Sequence, residues 1–202
     1  MLMRNSLLTN TTFFKAACYF EASLCLPAFL LGWFTQINPL AHFYFSSSAL
    51  LYGILGTVPL FALFLFLHKL PGQSIAAIRE LLLKTLGPSF QAYRWSHFLL
   101  LACIAGISEE LLFRGFLQPW LARFLDPTTG LLLSNVLFGL VHSITPLYAL
   151  LASLVGIYLS LAMNFSGESN LMTPILIHSL YDFLAITALI HEYRTSQLTT
   201  PK

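Results

Sequence analysis

The chain has 202 residues, of which 57% are hydrophobic and 9% charged, with a formal net charge of +2. A soluble domain usually carries about 25% charged residues, so the composition excludes an ordinary soluble globule and points to an integral membrane protein in contact with the lipid bilayer. So small a net charge speaks against a nucleic-acid partner, and the length suits one helical bundle rather than two domains.

A membrane-crossing helix needs about 20 mostly apolar residues. The first such stretch is 13–34, "FFKAACYFEASLCLPAFLLGWF". It contains Glu21 and Pro27 and has no small-x-small site after it, so it reads as a retained span rather than a signal peptide. Glu21 fits no motif and reads as an interfacial or helix-pairing acid. The second span is 45–68. Residues 69–94 then break the pattern and hold four of the ten basic residues. Within them Ile75, Ile78, Leu82 and Leu86 recur at helical spacing, which predicts an amphipathic helix on the membrane surface.

The third span is 95–124, closed by the turn signal "DPTTG". The fourth is 128–145, and Pro146 either ends it or opens the fifth, 146–164. "SGESN", 166–170, is a loop before the sixth span, 171–191. The expected fold is all-α: a polytopic bundle of about six transmembrane helices plus the surface helix. Its expected divisions are 1–94 (two spans and the amphipathic cytoplasmic segment), 95–191 (a four-helix core) and 192–202 (a tail).

An even number of spans leaves both termini on one side. With the N-terminus inside, the inside segments carry Arg4, Lys15, Lys69, Arg79, Lys84, Arg94, Arg194 and Lys202, against Arg123 alone outside. That asymmetry places both termini in the cytoplasm. Cys18 and Cys25 stand seven residues apart on one helix, about 10 Å, too far for a disulfide. They and Cys103 read as buried thiols. His42, His68, His97 and His191 lie near predicted span ends and read as interfacial.

The unusual feature is a cluster of charge in apolar sequence. "GISEELLFRGF", 106–116, sets Glu109 and Glu110 side by side, with Arg114 following. His142, His178 and Asp182 also fall inside predicted spans. Each such group costs about 2.5–3.5 kcal/mol at the middle of a bilayer, so their gathering around one wet cavity is the functional-site hypothesis. Glu110 and Arg114 are i,i+4 and share a helix face, and so do His178 with Asp182 and Phe138 with His142. Glu109 is turned by about 100° from Glu110 and is left free of that pair. A free carboxylate with two histidines can activate water: the carboxylate as general base, the histidines either holding a metal or donating to an oxyanion.

"EELLFR" fits Glu-Glu-x-x-x-Arg, "FGLVH" fits Phe-x-x-x-His, and "HSLYD" fits His-x-x-x-Asn/Asp. In order and spread these motifs resemble those of the CPBP family of intramembrane proteases. That family includes the type II CAAX prenyl endopeptidases and the bacterial abortive-infection and bacteriocin self-immunity proteins. The resemblance covers residues 95–190. It implies Glu109 as the base that deprotonates water and His142 as its partner in holding that water or a metal. It implies His178 and Asp182 as the group facing the oxyanion, Glu110 and Arg114 as structural support, and Phe138 as a packing residue. Asp182 departs from the Asn common in the prenyl-protein proteases; an ionised Asp cannot donate a hydrogen bond.

Two chemistries stay open. Glu109, His142 and His178 can bind zinc and leave one position for water. The same residues can work without metal, the reading favoured because Glu109 cannot readily be both ligand and base. No HExxH and no GxSxG stand in the sequence. The expected function is an intramembrane endopeptidase acting on a peptide or membrane-protein tail, prenylated in the eukaryotic relatives. The small loops suggest a bacterial inner-membrane member. The alternatives are a non-catalytic immunity or scaffold protein of the same fold, and a proton-coupled transporter, which the lack of an internal repeat disfavours.

Overall fold

The computed structural model describes residues 2–199, with side chains over 12–198. Every described element is a helix: α1 Leu2–Ser23, α2 Cys25–Thr35, α3 Ser47–Lys69, α4 Gln73–Phe90, α5 Trp95–Glu110, a π-helical segment Leu111–Leu117, α6 Gln118–Phe124, α7 Pro127–Val141, α8 Pro146–Ala162 and α9 Met172–Thr199. Of the basic residues used to orient the chain, Arg4 and Lys202 lie outside the described side chains.

Local chemistry sets most of the boundaries. Proline lacks an N–H, and its ring clashes with the carbonyl four residues back. Pro27 therefore interrupts the first apolar run near Ser23, where Leu24 N–H instead donates to Glu21 O at 3.0 Å. "DPTTG" caps α7: the Asp126 carboxylate accepts from Thr128 N–H at 2.9 Å and Thr129 N–H at 3.1 Å, and Pro127 takes the first helical position, where its missing N–H costs nothing. Thr145 caps α8 through Tyr148 N–H at 3.1 Å, so Pro146 opens the fifth helix rather than ending the fourth.

Among the described residues, four helical stretches are long and apolar enough to cross a membrane: Thr12–Thr35, Ser47–Lys69, Trp95–Phe124 and Met172–Leu198. The other two expected spans, α7 and α8, are apolar but have 15 and 17 residues. At 1.5 Å per residue they reach about 22 and 26 Å, short of a hydrocarbon core of about 30 Å. They form a short hairpin beside the 30-residue rod of α5, the π-helical segment and α6.

α9 is the central helix and packs on α3, α4, α5 and α8. On the α3 and α8 side, Ile177 joins Leu60, Leu159 and Ala162 in a buried cluster. On the α1, α4 and α5 side, Ile190 joins Phe14, Phe90, Phe98 and Leu101. The apolar stripe of α4 is real, but it turns inward: Ile78 is buried, and Leu86 packs on the Phe90 and Phe98 cluster. The exposed face carries an ion pair between Glu80 and Lys84 at 2.6 Å. α9 continues past 191, held by His68 to Glu192 at 2.7 Å, by Arg79 to Glu192, and by Arg194 Nε to Gln91 O at 3.0 Å.

Candidate active site

The site begins where α5 and α9 touch. Gly106 faces Ser179 so closely that a Cβ there would strike Ser179 Oγ and stand 2.9 Å from Ser179 N. One turn further along α5 are Glu109 and Glu110; one residue back on α9 is His178. The absent side chain at Gly106 thus lets His178 Nδ1 reach Glu110 Oε1 at 2.8 Å.

The same Glu110 oxygen accepts from Arg114 Nη1 at 2.9 Å, with both side chains fully buried. A guanidinium has five N–H donors, and each needs an acceptor when buried. Arg114 finds them in Asn135 Oδ1 at 2.8 Å, Gly156 O at 2.8 Å and Ser160 Oγ at 3.3 Å. Its Cζ lies 4.7 Å from the centre of the Phe138 ring, a cation–π contact. The expected pairing of Glu110 with Arg114 and the packing position of Phe138 are both present in this geometry.

Glu109 stands clear of that pair and faces the histidines. Its Oε2 is 3.5 Å from His142 Nε2 and 3.9 Å from His178 Nε2, and it has no hydrogen-bond donor among the described residues. His142 Nδ1 is 2.7 Å from Phe138 O, so its Nδ1–H donates along the helix and Nε2 is the edge turned to Glu109. Asp182 Oδ2 lies 3.5 Å from His178 Nε2, longer than a good hydrogen bond. His178 is therefore held mainly by Glu110, with Asp182 as a more distant neighbour.

The short hairpin fixes the depth of the site. α7 ends at Val141, so the turn after it carries His142 to the level of Glu109, in the middle of the α5–α6 rod. Glu109 is 8% exposed, while His142 and Asp182 are 31% and 29% exposed, so the cluster opens toward the side of His142 and Asp182. All four proposed reacting residues, Glu109, His142, His178 and Asp182, thus come together.

Several partners have no place in the three motifs. Asn135 precedes Phe138 by three residues, so the two share one face of α7, and His142 follows in the turn that ends it. Asn135 Nδ2 donates to Leu131 O and to Ser160 Oγ, each at 2.8 Å, and Ser160 donates to Gln118 Oε1 at 2.8 Å. A polar amide in "LLLSNVLF" was the available signal. Glu21, read as an interfacial or helix-pairing acid, has its Oε2 buried and without a donor among the described residues. Nothing local to α1 announces that.

Among the described residues, no three His, Cys, Asp or Glu side chains form a metal-holding group. Residues 91–184 match the family model described as type II CAAX prenyl endopeptidase Rce1-like. The match spans just under half of the chain and shows a similarity to that family. The matched segment contains all three motifs and all four clustered residues, in agreement with the resemblance read from their spacing. No curated protein and no solved structure matches the chain.

Proposed function

We propose that the protein is an intramembrane endopeptidase of the CAAX-protease type, in which Glu109 activates a water for attack on a peptide bond. The observation that carries this reading is the buried Glu109 carboxylate, free of Arg114 and facing the Nε2 edges of two histidines from two other helices. Glu109 takes a proton from water as the oxygen attacks the carbonyl carbon, then returns it to the leaving amine. His142, fixed by its Nδ1–H bond to Phe138 O, holds the water on the open side. His178 donates from Nδ1 to Glu110 and presents Nε2–H to the oxyanion, in a site largely closed to bulk water. Asp182 Oδ2, 3.5 Å from His178 Nε2, helps orient the imidazole.

The family match supports a peptide or membrane-protein tail as substrate, with C-terminal prenylation the first variant to test. Both termini face the cytoplasm in this reading, and the cluster is most exposed at His142 and Asp182. These steps use only the chain's own side chains.

The test is hydrolysis of a farnesylated C-terminal fluorogenic peptide by purified protein in detergent. Glu109→Gln should lower kcat by about 10²- to 10⁴-fold, the contribution typical of a positioned general base. Unchanged hydrolysis by that variant would sink the reading. Loss of wild-type hydrolysis with a zinc chelator, restored by zinc, would move Glu109 from base to ligand.

A further inference from the structure

α3 and α9 run parallel, side by side. Gly53 and Gly56 let α3 approach Leu176 and Ile177 of α9, and at the other end His68 Nε2 lies 2.7 Å from Glu192 Oε2. Beside this seam is a groove of about 410 Å³, within the range of about 300–1,000 Å³ typical of small-molecule sites. Ile54, Val58, Phe61 and Leu65 line it from α3, and Leu180 and Leu184 from α9. Thr57 lines it as well, but its hydroxyl donates to Gly53 O at 2.9 Å, so the walls are apolar. Leu180 and Leu184 stand on either side of Asp182 in the chain, each about 160° from it around the helix, so the groove faces away from the cluster at Glu109.

From Ile54 to Leu65 the groove runs about 16 Å along α3, close to half of a hydrocarbon core of about 30 Å and so the depth of one leaflet. The stripe through Ile54, Val58 and Leu65 reaches Lys69 one turn later, at the last position of α3. Lys69 is exposed and has no carboxylate partner among the described residues. The neighbouring carboxylate, Glu192, is taken by His68 and Arg79. His191 is exposed at the same end, on the α9 stripe of Leu180 and Leu184. A slot one leaflet deep thus ends at a cation that no protein group neutralises. The charge asymmetry of the chain assigns this end to the cytoplasmic side.

We propose that the groove between α3 and α9 binds one acyl chain of an anionic phospholipid, with the headgroup phosphate on Lys69. The chain makes dispersion contacts with both helices and asks for no hydrogen bond. Lys69 selects the headgroup. Phosphatidylcholine carries its own cation and has no net charge, whereas phosphatidylglycerol brings a net negative charge that Lys69 neutralises. Because the bound chain bridges α3 and α9, it holds the folded bundle together and raises its melting temperature. The site uses none of the residues assigned to hydrolysis, so it stands whether or not Glu109 is the base.

The experiment titrates phosphatidylglycerol or phosphatidylcholine with the same acyl chains into the full chain, purified in a non-ionic detergent, and reads the melting temperature against each protein's lipid-free value. Phosphatidylglycerol should reach its half-maximal upward shift at a concentration about five-fold lower, the selectivity one lysine supplies at a membrane surface. Lys69→Gln should bring the two lipids to the same half-maximal concentration, and Lys69→Arg should keep the preference. Ala62 lines the groove and is exposed. Ala62→Trp fills the slot and should abolish the shift with both lipids. Equal half-maximal concentrations in wild type, no shift with either lipid, or a preference that survives Lys69→Gln overturns the proposal. A full shift in Ala62→Trp also overturns it, because the chain then lies elsewhere.

Discussion

His178 Nδ1 lies 2.8 Å from Glu110 Oε1, closer than His178 comes to either Glu109 or Asp182. The second carboxylate of the Glu-Glu pair is therefore the anchor of the site. It joins α5 to α9 through His178 and to α7 and α8 through Arg114. Glu109 and Glu110 are adjacent in sequence yet play different parts. Glu109 faces the open cluster, and Glu110 faces a closed network.

That division predicts different phenotypes. Glu110→Gln leaves the fully buried Arg114 without its charged partner, and breaking a buried pair costs about 3–5 kcal/mol. The variant should melt at a clearly lower temperature in detergent and lose activity as well. Glu109→Gln should lose activity at a nearly unchanged melting temperature. Equal melting temperatures for the two variants would contradict the division.

Asn135 gives the network a second anchor. Asn135→Leu removes the acceptor for Arg114 Nη2 and the donor to Ser160. Leaving a buried donor unsatisfied costs about 1–3 kcal/mol. Thermal unfolding should show a loss of that size, and restoring the amide with Gln should recover less than wild type, because the longer chain displaces it.

Gly106 sets the approach of α5 to α9. Gly106→Val places side-chain atoms where Ser179 stands. Overpacking of this kind costs about 1–3 kcal/mol, and it moves Glu110 away from His178. The expected result is a loss of peptide hydrolysis larger than the loss of stability alone accounts for. A variant that folds and cleaves as wild type would show that the close approach is not required.

Asp126 lies in the turn between α6 and α7, outside the long apolar helices. The Thr129 hydroxyl, with the Thr129 and Thr128 N–H groups, holds its carboxyl below the ordinary Asp range. A depressed carboxylate contributes stability that is present above its unfolded pKa and lost as pH falls through its folded pKa. Asp126→Asn keeps a capping oxygen but does not titrate. Wild type should therefore melt above Asp126→Asn near neutral pH, with the gap closing as pH falls below about 4. A gap independent of pH would remove the charge from the account.

Features that live within one helix were legible in the residues. An i,i+4 spacing brings Glu110 and Arg114 together whatever surrounds them, because the helix itself sets that distance. "DPTTG" starts a helix through the donors of its own next residues. Apolar length alone identifies the long spans, since backbone polar groups in lipid must be satisfied inside a helix.

Tertiary structure decided everything that depends on which helix faces meet. The stripe on α4 announces an apolar face, and only packing shows that protein covers it. His178 and Asp182 share a face, but His178 binds Glu110 more closely, because Gly106 draws α9 against α5. Glu21 carries no motif, and its carboxyl oxygen is buried only because α1 docks on the bundle. Helix periodicity is a local property of the chain. The rotation and closeness of two helices come from the fit of their surfaces, which no single stretch of sequence contains.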